Sequence, residues 1–135
     1  MLLSIPYVGF DRPATGEAAG EARLRITAFA AEHGADATQQ ADVALAVTEA
    51  VTNAIIHAYP PGRHGLVHIA ADVEDDDLEI VITDDGHGLQ PGRSPGLGAG
   101  LSIIAETADQ FVIRERDPNG IELWMRFYLN RDDTS

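Results

Sequence analysis

Three polar residues line up on a stretch that is otherwise apolar. In EAVTNAIIHAYP, residues 49–60, Glu49, Asn53 and His57 follow one another at steps of four. Residues four apart stack on one side of a helix. The stripe therefore combines a carboxylate that can take a proton with an amide oxygen that can hold a hard cation such as Mg²⁺. His57 extends it and ranks below Glu49 as a base. On the helix alone, a stripe turned to water fits the spacing equally well.

Two other segments could carry chemistry. In ITDDGHGL, residues 82–89, Asp84 stands at a strand end and is followed by Gly86 and Gly88. Glycines allow close backbone approach to a flat ligand, and a carboxylate accepts a hydrogen bond from an exocyclic amine. An ordinary Asp-Gly turn would read the same way. In GLGAGLSII, residues 96–104, glycines precede a predicted helix, whose first N–H groups favour anions. The dinucleotide-binding pattern GxGxxG fails here, because the sixth place is Leu101 or Ile103 and no strand precedes the loop.

The elements that must position these residues are legible. Residues 2–10 are a short apolar stretch that Pro6 confines to an edge strand or extended arm. A helix opens at Thr15 with Glu17 in its first turn, buries Ala22, Ile26, Phe29 and His33 on one face, and stops at Gly34. Asp36 and Gln39 form a capping-box pattern for a second helix, which runs to Ala58 and ends before Pro60 and Pro61. Val43, Val47, Val51 and Ile55 form its core line, with Leu45 and Thr48 beside them. Residues 66–74 alternate as a half-buried strand, Asp75 to Asp77 turn the chain, and LEIVIT continues as the next strand. A Gly/Pro-rich loop from Asp85 to about Gly98 leads to a short helix carrying Leu101, Ile104 and Ala108. Two further strands flank DPNG, a hairpin signal with glycine where positive φ is needed. The order predicts one α+β domain over 1–135: a mixed, mainly antiparallel sheet covered on one face by helices.

Composition removes whole classes of function. The net charge of −13 argues against nucleic acid and anionic membrane surfaces as partners. The absence of cysteine excludes thiol nucleophiles, thiolate zinc sites and disulfides. All nine basic residues are arginine, so a Walker A loop, a eukaryotic-type protein kinase and a Schiff-base enzyme each lack their lysine. His57, His64 and His68 do not make a metal cluster, because Gly65 and the following strand break helical pairing of the last two. MLLSIPYVGF has no basic n-region, and no apolar run reaches the roughly 18 residues of a membrane span. The expected compartment is the cytoplasm.

The three segments, in this order and on these elements, resemble the GHKL (Bergerat-type) ATP-binding superfamily over roughly residues 14–129. EAVTNAIIHAY is most similar to the bacterial anti-sigma-factor serine kinases. The resemblance implies ATP and Mg²⁺ as cofactors. It makes Asn53 the residue that binds Mg²⁺ through the ATP phosphates, Glu49 the general base and Asp84 the acceptor for the adenine amine. Gly86 and Gly88 would close on the base, with His57 bordering the nucleotide. Gly98, Ala99, Gly100 and Leu101 would form the lid near the phosphates, and Arg93 would reach the γ-phosphate. One departure is Ile121, which stands where relatives often carry threonine and supplies no hydroxyl to the adenine rim.

The implied function is sequestration of a sigma factor and phosphorylation of an antagonist (anti-anti-sigma) protein on serine. The alternative is a non-catalytic ATP-binding partner module of the same fold. A sensor histidine kinase would need a phospho-accepting helical hairpin, for which about 14 residues before the first helix are too few. The family likeness also admits a homodimer, formed through the N-terminal strand edge.

Overall fold

The computed structural model describes residues 4–58, 65–86, 97–117 and 119–129, with 58 and 97–100 by backbone alone. The elements run β1 (Tyr7–Pro13), α1 (Gly16–Glu32), α2 (Ala37–Ala58), β2 (Leu66–Glu74), β3 (Asp77–Asp84), α3 (Leu97–Thr107), β4 (Gln110–Glu115) and β5 (Ile121–Tyr128). The strands form one sheet in the order β1-β2-β3-β5-β4. Every pairing is antiparallel, so the mixed sheet expected from sequence is fully antiparallel. β1 starts after Pro6 and extends to Pro13, later than expected, because Val8, Phe10 and Arg12 alternate inward along it.

Local signals set the helix ends. His33, Gly34 and Ala35 close α1 as a Schellman motif: the Gly34 amide donates to Ala31 O, the Ala35 amide to Ala30 O, and Gly34 has φ 104. At the start of α2, the Gln39 amide donates to Asp36 Oδ1 at 2.8 Å. The Asp36 amide donates back to Gln39 Oε1 at 3.1 Å, completing a capping box. Asp75 and Asp76, with φ 53 and 66, make the two-residue turn between β2 and β3, while Asp77 already belongs to β3.

The period-2 pattern of the strands sorts the sheet into two faces. Val67, Ile69 and Ala71 of β2, Leu78, Ile80 and Ile82 of β3, and Leu123, Met125 and Phe127 of β5 are buried on the helix side. α2 lies over β2, β3 and β5 and packs beside both α1 and α3. Its core stripe is Val43, Ala46, Val47, Ala50, Val51 and Ala54. Each buried Val, Ile or Leu contributes about 1.5–3 kcal/mol, so this layer carries most of the stabilisation. The other face is polar. There Glu79 accepts from Trp124 Nε1 and Arg126 Nη2, each at 3.0 Å.

Candidate functional site

Asp84 closes β3 on the core side of the sheet. Alternation from Leu78, Ile80 and Ile82 puts the next inward position at 84, so the carboxylate lies in a layer that is otherwise apolar and is 4 % exposed. It belongs to the last residue of the strand rather than to the loop beyond. The Gly86 amide donates to Asp84 Oδ1 at 3.0 Å and the Ile121 amide at 3.3 Å. The first contact is an Asx turn, the local pattern that Asp-x-Gly favours. Burial raises the Asp84 carboxyl above the usual carboxylate range, while the two amides and Arg116 partly offset it.

The β4–β5 hairpin braces this residue from the side. Gly120 has φ 108, and a Cβ there would overlap the Asp84 carbonyl oxygen. Only glycine permits both the turn and the approach. Arg116 Nη1 donates to the Asp84 carbonyl at 2.9 Å and to Asp85 Oδ1 at 2.7 Å. Ile121 reaches the carboxylate through its main-chain amide.

The α2 stripe lies along the flank of the helix. Glu49, Asn53 and His57 are each half-buried. A step of four residues rotates about 40° around a helix, so the stripe turns progressively toward the core line as α2 proceeds. Asn53 Nδ2 is buried without a hydrogen-bond partner. A buried unpaired amide costs about 1–3 kcal/mol, so this atom sits where the protein alone does not satisfy it. α2 covers the same sheet face that carries Asp84.

The glycine segment differs from expectation. α3 begins at Leu97, so Gly98, Ala99 and Gly100 form its first turn rather than a preceding loop. The first four N–H groups of a helix have no intrahelical acceptor, which makes residues 97–100 the donors. Leu101 lies one turn in, and its side chain packs partly buried against the core. Gly88, Arg93, His64 and both prolines after α2 lie outside the described residues.

The chain as a whole is similar to known proteins. The family described as "Histidine kinase-like ATPase domain" matches residues 12–127. This chain belongs to that family. The serine-protein kinase RsbW of Bacillus licheniformis is 30% identical, over 93% of this chain and 88% of the relative. The anti-sigma F factor of Clostridium novyi is 29% identical, over 78% of this chain and 82% of the relative. The crystal structure of the RsbU and RsbW domains of Rv1364c from Mycobacterium tuberculosis superimposes with a TM-score of 0.73 at 25% identity. It covers 92% of this chain, which spans 32% of that longer one.

A histidine kinase-like ATPase domain takes ATP, and the residues present fit that ligand. Asp84 offers a fixed, buried carboxylate for an amine, and Asn53 offers a buried amide with unused capacity. Among the described residues no cluster of His, Asp and Glu could hold a metal ion by itself. Sequence reading missed Arg116, which donates to the Asp84 carbonyl, and Asp85 and His68, which are linked to it in turn. The available signal was an arginine just before a DPNG turn, facing an Asp-Asp pair at a strand end.

Proposed function

We propose that this histidine kinase-like ATPase domain is an ATP-binding anti-sigma factor of the cytoplasm. It would hold a sigma factor and phosphorylate an antagonist protein on serine. The observation that carries the ATP reading is Asp84, an acid buried in an apolar layer with one oxygen fixed by main-chain amides. Such a group rewards a ligand that donates an amine hydrogen, as adenine does and guanine at the same position does not. Kinship with proteins named serine-protein kinase RsbW and anti-sigma F factor supports the transfer and partner readings.

Within this reading each residue has one task. Asp84 orients the base. Asn53 holds the Mg²⁺ that would neutralise phosphate charge, with the first-turn amides of α3 beside the phosphates. Glu49, one turn before Asn53, takes the proton from the serine hydroxyl as its oxygen bonds the γ-phosphorus and the bond from that phosphorus to the β–γ bridging oxygen breaks, so that ADP leaves. His57 borders the nucleotide, and Gly86, Gly88 and Arg93 complete the wall and lid. β1, at one edge of the sheet, is where a second copy would add to form a homodimer.

The test is phosphate transfer from labelled Mg²⁺-ATP to a serine-bearing antagonist protein, with sigma-factor co-elution measured alongside. Transfer that disappears in Glu49→Gln while nucleotide binding persists supports the kinase. Ile121, which supplies no hydroxyl to the adenine rim, bears on nucleotide affinity, and the second reading is an ATP-binding partner module of the same fold without transfer. Tight nucleotide binding with no phosphoserine formed would establish that module and overturn the kinase.

A further inference from the structure

The polar face of the sheet carries a chain of charges that ends on the Asp84 main chain. His68 of β2 stands between two carboxylates. Its Nδ1 is 2.6 Å from Asp11 Oδ1 of β1 and its Nε2 is 2.8 Å from Asp85 Oδ2. The other Asp85 oxygen accepts from Arg116 Nη1, which also donates to the Asp84 carbonyl. The neighbour of His68 on β3 is Thr83, which is uncharged. Arg12 of β1 points to the opposite face, where it pairs with Glu21. The groups facing His68 are therefore Asp11 and Asp85, with Arg116 behind Asp85.

We propose that Arg116, Asp85 and His68 form a positioning relay for Asp84, so that the affinity of the site for adenine depends on the protonation of His68. This rests on the reading that Asp84 takes the adenine amine. An imidazolium donates from both ring nitrogens and satisfies both carboxylates. Neutral imidazole has one N–H and turns a lone pair toward the other carboxylate. Deprotonation therefore releases one end of the bridge. Where Asp85 is released, its Oδ2 is no longer anchored to β2, so the carboxylate that accepts from Arg116 is held less firmly and the Arg116 contact with the Asp84 carbonyl loosens with it. Gly120 and the amide of Ile121 belong to the same hairpin, so the carboxylate itself shifts with it. The hydrogen bonds to Asp85 and Asp11 raise the His68 pKa above the ordinary imidazole value, which puts the release on the alkaline side of it.

The experiment is calorimetric titration of a non-hydrolysable Mg²⁺-ATP analogue, and of its guanine counterpart, into the full chain from pH 6 to 9. In the unmodified chain, affinity for the adenine analogue falls about fivefold or more as the pH rises through the His68 pKa, the size of a modest coupling between sites. His68→Gln removes that pH step. Arg116→Gln weakens the adenine analogue and narrows the adenine-to-guanine ratio, and Arg116→Lys restores part of both. The ratio reports on folded molecules only, so partial unfolding does not mimic the effect. Asp84→Asn is the control. If it loses adenine preference while Arg116→Gln keeps it, or if the pH step survives in His68→Gln, the relay is wrong and the site stands. If Asp84→Asn binds the adenine analogue as tightly as the unmodified chain, the adenine reading fails and takes the relay with it.

Discussion

Gly120 lies directly against the carbonyl of Asp84, with the Asp84 carbonyl carbon 3.0 Å from where a Cβ would stand. A turn residue of the last hairpin thereby fixes the strand end that carries the buried acid. Gly120→Ala must relieve both the overlap and a φ of 108. The expected cost is about 1–3 kcal/mol of stability, read from urea unfolding. Nucleotide affinity should fall as well, because the displaced group is the Asp84 main chain.

Asp84→Asn should separate stability from binding. The folded-state pKa of Asp84 is raised, chiefly by burial. The folded protein therefore holds this proton more tightly than the unfolded chain. Stability is greatest below the unfolded carboxylate pKa and declines as pH rises through the folded value. Asparagine mimics the neutral form and can still accept from the Gly86 and Ile121 amides. The nucleotide-free variant should thus unfold at higher urea at neutral pH, while ATP affinity drops about 10–100-fold, the worth of a hydrogen bond to a charged group.

His68 should give stability the same kind of pH dependence as Asp84, at higher pH. Its raised pKa means that the contribution of the Asp11–His68–Asp85 bridge is complete below the ordinary imidazole value. It is lost as pH rises through the raised value. Asp85, whose pKa is lowered first by His68 and then by Arg116, adds stability above the unfolded carboxylate value and loses it as pH falls through its own lowered pKa. The bridge is whole between those limits. Urea midpoints measured from pH 6 to 9 should decline in the unmodified chain and flatten in His68→Gln.

Much of this was legible in the sequence, and the exceptions have physical causes. Period-2 and four-residue patterns located β2, β3 and α2, because each element buries one face against the same core. Asp36 with Gln39, and Gly34 after α1, marked helix ends through hydrogen bonds made within a few residues. The start of α3 was misplaced, since Gly98 and Gly100 have poor helix propensity and read as loop. The His68–Asp85–Arg116 chain was invisible because its members come from β2 and from the residues that follow β3 and β4. Their proximity follows from register, His68 opposite Asp11 and Arg116 at the β4–β5 turn, which no local pattern encodes.

Asn53→Ala should leave the nucleotide-free protein as stable as before or slightly more so. The substitution removes a buried Nδ2 that has no partner, relieving a penalty of about 1–3 kcal/mol against the packing it loses. The thermal stabilisation produced by Mg²⁺-ATP should shrink sharply in the same variant. Differential scanning fluorimetry with and without nucleotide reads both effects.

Glu49→Gln should keep nucleotide affinity while lowering phosphate transfer about 10²–10⁴-fold, the range for loss of a general base. Single-turnover transfer from pre-bound Mg²⁺-ATP separates the two quantities.

The most direct measurement is a crystal structure of the chain with Mg²⁺ and a non-hydrolysable ATP analogue. The account predicts the adenine amine on the Asp84 carboxylate, phosphates beside Asn53 and the first turn of α3, and Glu49 facing the terminal phosphate. A nucleotide bound elsewhere, or bound with Asp84 and Asn53 both untouched, would contradict it.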